Sequence, residues 1–390
     1  MMIEGRREPT AGRIRLGMVG GGQGAFIGAV HRIAARIDDH YEFVAGALSS
    51  EPARAKESGI ELGLAADRIY GDFHEMARAE ACRNDGIEAV AIVTPNHMHF
   101  PAAKAFIDVG IHVICDKPVT SNLRDALALQ KLLARRADVI FALTHNYSGY
   151  PMIRQARAMV AAGELGDIRL VQGEYPQDWL TNPIEREGQK QAIWRTDPKK
   201  TGAGGCVGDI GTHTYQLACF VSGLALQELS ADLATFVDGR RVDDNVHVML
   251  RFKGGAKGMI WASQVAPGHE NGLRLRLYGT KGGLEWTQTE PNDLWFTPFG
   301  EPKRLITRGG AGANTAASRV TRVPPGHPEG YLECFANIYT EVARTIKAKR
   351  SGERPDEQVI FPGITDGVAG MAFIEACVKS SSKNSKWTKL

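Results

Sequence analysis

The first third of the chain alternates between mostly apolar runs and segments with helical periodicity. Strands that are apolar along nearly their whole length and separated by helices indicate a parallel sheet covered on both faces. This pattern predicts a doubly wound, Rossmann-type α/β domain over residues 1–145. The predicted strands are 14–20, 41–49, 87–94, 111–115 and 138–145.

The pattern changes after about residue 150, where strand signals cluster around short glycine-rich hairpins such as FKGGAKG and GTKGG. A helix over 209–221 precedes this cluster, and 298–329 is predicted to be a long loop. Residues 146–390 are therefore predicted to form an α+β domain with a large, mostly antiparallel sheet. Its predicted strands are 168–177, 229–237, 245–252, 257–265, 273–279 and 282–288, and two helices, 331–349 and 366–382, close the chain.

The composition argues against several classes of protein but does not indicate a particular reaction. The 390 residues are 43% hydrophobic and 23% charged, and the net charge is only +3 with no charged blocks. This balance favours neither nucleic acid nor a membrane as partner. The six cysteines form no CxxC pair, which argues against a disulfide framework or a zinc site. The N-terminus has no apolar segment typical of a signal peptide, so we expect a cytoplasmic protein without a metal.

The stretch GGGQGAF follows the first predicted strand and precedes a predicted helix. Glycines at such a turn let a pyrophosphate approach the backbone, and the helix N-terminus favours its charge. The pattern fits GxGxxG in two ways: Gly20, Gly22 and Ala25, or Gly22, Gly24 and Gly28. A dinucleotide cofactor is therefore expected. The predicted contacts in this turn are Gly20, Gly22, Gln23, Gly24, Ala25 and Phe26.

The end of the second strand bears on the choice between NAD and NADP. An acidic residue usually stands there in NAD-binding folds, where it binds the ribose 2′-hydroxyl. Ser49 and Ser50 occupy that place, with Arg54 close behind, and this combination suits a 2′-phosphate. Glu51 follows one position later and would favour NAD if it turned inward. The cofactor is predicted to be NAD or NADP, with a lean to NADP or dual use.

Polar motifs follow two later strands at the edge where ligands bind in open α/β sheets. TPNHMHF supplies Thr94, Pro95, Asn96 and His99 as predicted cofactor contacts; a metal site at its histidines lacks a third ligand. CDKPV places Asp116 and Lys117 after the next strand, where a lysine suits proton transfer. The X-Pro bond after Lys117 is a candidate cis bond.

GAGGCVGDIGTHTYQ opens the predicted helix of the second domain. Asp209 and His213 are four residues apart, so a helix that starts near Asp209 would place them on one face. An aspartate can orient an imidazole and hold its proton, which gives a general acid/base pair. The alternative is a helix-capping aspartate beside a packed histidine.

Together these motifs make the chain resemble the Gfo/Idh/MocA family of glucose–fructose oxidoreductases, inositol dehydrogenases and rhizopine-catabolism proteins. The resemblance extends from Ile14 over nearly the whole chain. It implies that Lys117, Asp209 and His213 surround the reacting hydroxyl. The family's E-K-P motif is D-K-P here, and Asp116 is expected to keep the lysine-positioning role of the glutamate. The widened glycine turn leaves the pyrophosphate contacts open by a residue or two.

The resemblance implies an NAD(P)-dependent dehydrogenase that acts on a secondary hydroxyl of a sugar, inositol or related polyol. Two alternatives are an NAD-dependent glycoside hydrolase of the same superfamily and a non-catalytic nucleotide-sensing protein. A homodimer or homotetramer is implied, with the exposed face of the second sheet as its surface. The predicted substrate-binding residues are Asn146, Tyr147, Trp194, Arg195, Asp209, His213 and His327.

Overall fold

The structure, a computed structural model, describes residues 12–390 of the chain. The sequence-based interpretation of residues 1–11 lies outside these residues. No helix between residues 12 and 390 is long and apolar enough to cross a membrane.

The first sheet has five parallel strands in the order β2-β1-β3-β4-β5, which confirms the predicted doubly wound architecture. Strand β3 is buried at all five positions, as expected for a strand covered by helices on both faces. The chain order reverses between β1 and β3, which is where such sheets bind ligands. The strands are β1 (Ile14–Gly20), β2 (Tyr41–Ala47), β3 (Ala89–Val93), β4 (His112–Cys115) and β5 (Phe141–Leu143).

Five helices connect these strands. Asp72 caps the third of them, because its side chain accepts a hydrogen bond from the Glu75 amide at 3.0 Å. The helices are α1 (Phe26–Ile37), α2 (Pro52–Glu61), α3 (Phe73–Cys82), α4 (His99–Asp108) and α5 (Leu123–Arg135).

The second sheet is mixed but mostly antiparallel, and its nine strands have the order β13-β12-β11-β10-β6-β9-β8-β7-β14. Only the β6–β9 pair at its centre is parallel. One face is covered by helices, and Gly173 of β6 lets Thr214 pack against the strand. The strands are β6 (Ile168–Pro176), β7 (Leu226–Ala234), β8 (Asn245–Phe252), β9 (Lys257–Ser263), β10 (Arg274–Gly279), β11 (Gly282–Thr287), β12 (Asp293–Pro298), β13 (Arg304–Thr307) and β14 (Thr388–Lys389).

The helices of the second half include two short ones between β6 and α9 for which the sequence pattern predicted no helix, α7 and α8. Strand β13 and helix α10 likewise lie inside the predicted loop 298–329. These elements are four to six residues long, too short to show a clear hydrophobic period. The helices are α6 (Pro151–Ala161), α7 (Lys190–Arg195), α8 (Pro198–Thr201), α9 (Thr212–Ser222), α10 (Thr315–Ser318), α11 (Tyr331–Arg350) and α12 (Ile364–Ser381).

The long helix α11 returns to the first sheet and packs on α1. The buried His31 of α1 lies 2.8 Å from the Tyr339 hydroxyl, measured from its Nδ1 atom. Tyr41 of β2 donates its hydroxyl to the Tyr339 carbonyl at 2.8 Å. Helix α11 therefore covers one face of the first domain and joins the two halves of the chain.

Candidate active site

The turn after β1 has a backbone that only glycine adopts without strain. Gly20, Gly21 and Gly24 have φ angles of 80°, 74° and 72°. Gly22 has an ordinary φ, but a Cβ atom there would lie 2.7 Å from the Leu48 carbonyl oxygen. Three of these positions need glycine for their backbone conformation, and the fourth needs it because there is no room for a side chain.

Helix α1 lies directly on this turn. A Cβ atom on Gly28 would be 2.4 Å from the Gly21 Cα atom, so a side chain there would push the helix away. The third glycine of the wider pattern therefore performs the close-packing role. The helix has no side-chain cap at Ala25 and no acidic residue in its first turn, which leaves its first amides available to an anion.

A pocket of about 420 Å³ opens beside the turn. Two backbone N–H groups of the turn already have acceptors within the protein. The Gly22 amide donates to the Leu48 carbonyl at 3.2 Å, and the Gln23 backbone amide donates to the Ser58 hydroxyl at 3.1 Å. The donors at the start of α1 remain for a ligand. The lining includes most of the predicted cofactor contacts in this turn: Gly22, Gln23, Gly24, Ala25 and Phe26.

The neighbouring loop after β3 supplies a further polar group. The Thr94 hydroxyl is buried and has no hydrogen-bond partner within residues 12–390. A buried hydroxyl without a partner is costly unless a ligand or water meets it. The glycine turn, the uncapped helix and this hydroxyl together fit a dinucleotide that crosses the edge of the sheet between β1 and β3.

The predicted ribose-binding residues lie at the surface where β2 ends. Ser50, Glu51 and Arg54 are exposed, and Ser49 accepts a hydrogen bond from the Glu51 amide at 3.1 Å. Arg54 has no ion-pair partner in the described part of the chain. The end of β2 therefore has one exposed cation without an ion-pair partner among residues 12–390, Arg54, and one exposed carboxylate, Glu51.

Two residues of the TPNHMHF loop have structural partners. The Asn96 amide donates to the Thr201 carbonyl at 2.9 Å, which joins the loop to α8. His99 is fully buried, with its ring nitrogens 2.7 Å from the Pro118 carbonyl and 2.8 Å from the Thr94 carbonyl. Both ring nitrogens thus face backbone oxygens, and a contact between His99 and the cofactor stays a prediction. Burial lowers the pKa of His99.

Lys117 is held by Asp209 of the second domain. The ammonium donates to the Asp209 carboxylate at 2.7 Å and to its backbone carbonyl at 2.6 Å. The other carboxylate oxygen accepts from Arg195 at 3.2 Å and from Gln264 at 2.9 Å. Burial alone would raise the pKa of Asp209, but Lys117 and Arg195 hold it well below its usual range. The bond from Lys117 to Pro118 is cis, as the sequence suggested.

Asp116 does not hold Lys117, contrary to expectation. Its carboxylate accepts from the Thr144 hydroxyl at 2.9 Å and lies 3.9 Å from a ring nitrogen of His31. Its side chain is one methylene shorter than the glutamate of the family motif, and the hydrogen bonds of Lys117 go to Asp209. Burial raises the pKa of Asp116, but His31 and Lys117 outweigh this and lower it to about 2.

His213 lies beside Lys117 in an aromatic environment. Its ring centroid is 4.8 Å from that of Tyr147 and 5.5 Å from that of His145. Burial and then the Lys117 ammonium lower the pKa of His213 well below 6.5, so the imidazole is neutral at neutral pH. Burial and Lys117 likewise lower the pKa of His145 to about 3.

The predicted pairing of Asp209 with His213 is wrong. The Nδ1 atom of His213 is buried without a partner among the described residues, while the Asp209 carboxylate is used by Lys117, Arg195 and Gln264. Residues Val207–Gly211 form a π-helical turn before α9 begins. At this turn the Asp209 carboxylate faces Lys117, Arg195 and Gln264, so it is not available to the imidazole.

Asp243 anchors this turn from the loop before β8. Its carboxylate accepts from the Gly205 amide at 2.6 Å and from the Val207 amide at 2.7 Å. Its burial raises its pKa to about 6, although the amides oppose this. Sequence reasoning missed Asp243 because its partners lie 36 to 38 residues away.

The predicted substrate residues separate into two groups. Trp194 and Arg195 lie together at the end of α7, with the guanidinium 4.2 Å from the indole centroid. Tyr147 contacts His213 and shares a short hydrogen bond with Tyr175. These residues surround the Lys117–Asp209 pair.

Asn146 and His327 are not part of this group. The buried Asn146 amide donates to the Cys334 sulfur at 3.5 Å, so it faces α11 instead of the cleft. His327 is exposed, and its carbonyl accepts from the buried Arg308. The structure thus places Asn146 against α11 and His327 on a surface loop, and their roles in substrate binding stay predictions.

A chain of amides near this group was not predicted. Gln177 donates to Asn271 at 2.6 Å, and Asn271 donates to Gln288 at 2.5 Å. The Trp179 indole donates to Gln177 at 3.1 Å, and its ring lies 5.9 Å from the Arg195 guanidinium. Such networks offer both donors and acceptors to a polar ligand. The residues of this network come from separated strands and loops, so no local sequence motif predicts it.

Comparison with known proteins assigns the family. Residues 14–156 match the family described as "Oxidoreductase family, NAD-binding Rossmann fold", and residues 153–285 match the "GFO/IDH/MocA C-terminal domain". The chain belongs to the Gfo/Idh/MocA oxidoreductase family. It is an NAD-binding oxidoreductase of this family, which confirms the resemblance seen in the sequence motifs.

Two relatives match all or most of the chain. The uncharacterized oxidoreductase YfiI of Bacillus subtilis (strain 168) is 35% identical, with 100% of both chains covered. The levoglucosan dehydrogenase of Pseudarthrobacter phenanthrenivorans is 26% identical over 81% of this chain and 82% of its own.

Two solved structures show the same architecture. An oxidoreductase from Sinorhizobium meliloti is 63% identical, with a TM-score of 0.88 and coverage of 97% and 99% of the two chains. An inositol dehydrogenase homolog from Azotobacter vinelandii, complexed with NADH and myo-inositol, is 34% identical; its TM-score is 0.91 and its coverage 97% and 98%.

Proposed function

We propose that this protein is an NAD(P)-dependent dehydrogenase that interconverts a secondary hydroxyl and a ketone of a cyclic polyol or sugar. The observation that carries the proposal is the partly buried Lys117–Asp209 ion pair beside a buried, neutral His213. These residues come from two domains and meet at the ligand-binding edge of the first sheet. No structural need explains a buried cation, carboxylate and imidazole at one place as directly as proton transfer does.

Each residue has a distinct part in this chemistry. When bound, the nicotinamide cofactor supplies the acceptor for hydride. The neutral His213 imidazole takes the proton of the substrate hydroxyl, and it returns that proton in the reverse direction. The Lys117 ammonium, fixed by Asp209, donates to the substrate oxygen and stabilises its developing negative charge. Asp209 positions Lys117, and it is not a proton acceptor because its carboxylate already binds three donors.

A polyhydroxylated substrate is supported by the surrounding side chains. Gln177, Asn271 and Gln264 offer amide donors and acceptors, while the indoles of Trp179 and Trp194 can pack on the apolar face of a ring. The relative crystallised with NADH and myo-inositol and the levoglucosan dehydrogenase support the same substrate class. Hydride transfer between a ring carbon that bears a hydroxyl and the nicotinamide is thus the reaction we assign.

The cofactor proposal includes acceptance of NADP. The relatives solved with nicotinamide cofactors hold NAD+ or NADH, so NAD is the starting expectation. Arg54 has no ion-pair partner in the described chain, and Ser50 beside it is uncharged. A 2′-phosphate can therefore bind here with little repulsion except from Glu51. We assign dual use of NAD and NADP.

The experiment is a screen of cyclic polyols and sugars with both cofactors, followed by absorbance of the reduced nicotinamide. Substrate-dependent formation of NADH or NADPH with at least one polyol is the expected result. Glycoside hydrolysis without net change in the cofactor would support the alternative hydrolase. Tight nucleotide binding with no turnover of any compound would support the sensing protein.

We also propose a homodimer or homotetramer built on the open face of the second sheet. Adjacent strands there expose Leu170, Met249, Met259 and Tyr278 on one surface. Apolar side chains in such a group favour association. Light scattering coupled to size-exclusion chromatography tests this, and a monomer at micromolar concentration contradicts it.

A further inference from the structure

Helix α7 of the second domain reaches the glycine turn of the first. The Lys190 ammonium lies 3.5 Å from the Gln23 carbonyl oxygen. It is also the only described atom within 4 Å of the place where a Gly24 Cβ would be, at 3.9 Å. A cation thus stands at the mouth of the pocket beside the uncapped start of α1.

Lys190 has no acidic partner in the described part of the chain. Its contact is a single long hydrogen bond to a carbonyl, and the side chain is exposed. The nearby carboxylate of Glu61 accepts instead from the side-chain amide of Gln23 at 3.0 Å. An ammonium next to a phosphate-type turn and free of carboxylates suits a phosphate oxygen.

The position of Lys190 is fixed by the rest of α7. Gln189 caps the helix by accepting from the Ala192 amide at 2.7 Å. At its other end Arg195 binds both Gln191, at 2.5 Å, and Asp209, at 3.2 Å. The helix is therefore anchored on the residue that holds Lys117, and its first residue faces the glycine turn.

From these contacts we propose that Lys190 binds the diphosphate of the nicotinamide cofactor from the second domain. The inference rests on the proposed function, because it needs a dinucleotide in the pocket. It adds a cation from the second domain to a pocket that is lined by the glycine turn, Arg32 and Glu61 of the first. It also means that the diphosphate bridges the two domains, with α7 linking it to Asp209.

The test compares NADH binding by wild type, Lys190→Ala and Lys190→Arg, measured by nicotinamide fluorescence at low and high salt. Lys199→Ala is the matched control, because Lys199 is an exposed lysine of α8. Lys190→Ala is expected to weaken binding about tenfold at low salt, with Lys190→Arg and Lys199→Ala within about twofold of wild type. The loss should shrink at about 0.5 M salt, where exposed charges are screened.

Competition by ADP and by adenosine locates the contact. Lys190→Ala should weaken ADP and leave adenosine unchanged, because only ADP carries a diphosphate. Unaltered NADH affinity in Lys190→Ala, an equal loss in Lys199→Ala, or an equal loss for adenosine would each overturn the inference. Failure of wild type to bind NADH would instead overturn the proposed function, and this inference with it.

Discussion

The two sides of the cleft, the cofactor side and the side of the proposed proton transfer, consist of different kinds of chemical group. The cofactor side is mostly backbone: glycines with positive φ, a helix that lacks a side-chain cap, and amides near a turn. The chemistry side consists of side chains, with Lys117, Asp209, Arg195 and His213 brought together from both domains. A backbone site tolerates few changes in shape, whereas a side-chain site depends on charge and proton affinity.

This contrast implies that the two sides fail differently. Damage to the glycine turn should weaken the cofactor without changing the proton chemistry. Damage to the ion pair or the imidazole should stop turnover while the cofactor still binds. Separate measurements of affinity and of turnover therefore test the division.

The largest effect is expected from removing the proton-handling groups. Lys117→Met removes the charge and keeps most of the side-chain volume, and His213→Ala removes the base. Each should lower kcat by about 10²- to 10⁴-fold, the usual contribution of general acid/base groups. The dissociation constant of NADH should change by less than about fivefold, because neither residue belongs to the glycine turn.

Two exposed residues serve as controls for these variants. His74→Ala and Lys131→Met make the same chemical changes on α3 and α5, away from the cleft. Both should keep wild-type kcat on whichever substrate the screen identifies. Near-normal turnover in both Lys117→Met and His213→Ala would contradict the assigned chemistry.

The next effect concerns the backbone side. Gly22→Ala places a Cβ atom 2.7 Å from the Leu48 carbonyl oxygen and from the Ser58 hydroxyl oxygen, so the turn must shift. Overpacking of this kind costs roughly 1–3 kcal/mol, and cofactor binding should weaken about tenfold or more. The kcat at saturating cofactor should stay within about threefold of wild type.

Gly71→Ala provides the comparison for that substitution. A Cβ atom on Gly71 would make only ordinary contacts at 3.7 Å with Pro52. It should leave NADH affinity unchanged in a fluorescence titration. If Gly22→Ala also bound NADH normally, the close approach at Gly22 would have no functional importance.

The smallest change is expected at the end of β2. Ser50→Asp adds a carboxylate near Arg54, so it should repel a 2′-phosphate and favour NAD. The ratio of kcat/KM for NAD over NADP should rise about fivefold, because exposed charges interact by at most about 1 kcal/mol. Ser50→Asn keeps the size without the charge and should leave the ratio unchanged. A wild type that uses only NAD would exclude NADP use.

Sequence alone predicted the fold of the first domain well. Strand, glycine turn and helix follow one another within about 25 residues, so local pattern determined this part of the fold. Lys117 and His213 were also found, since each lies next to a motif that marks a strand end or a helix start. The mostly antiparallel second sheet followed from its hairpin signals, although its last strands did not.

The partners of those residues could not be predicted in the same way. The hydrogen bond from Lys117 to Asp209 spans 92 residues, and that from Gln264 to Asp209 spans 55. The predicted pairing of Asp209 with His213 failed because Lys117, Arg195 and Gln264 bind the Asp209 carboxylate. Side-chain partners set by tertiary contacts leave no periodic signal in the chain.

The most direct test of the central claim is the pH dependence of kcat/KM for alcohol oxidation in wild type and Lys117→Met. Burial and the Lys117 ammonium lower the pKa of His213 below its usual 6.5, so the base stays neutral until the pH falls well below that value. The wild-type rate should therefore fall only below pH 6.5. Removing the ammonium should raise the pKa of His213 and move this acid limb to higher pH. An acid limb at or above pH 6.5 in wild type, or one that does not move in Lys117→Met, would contradict the account.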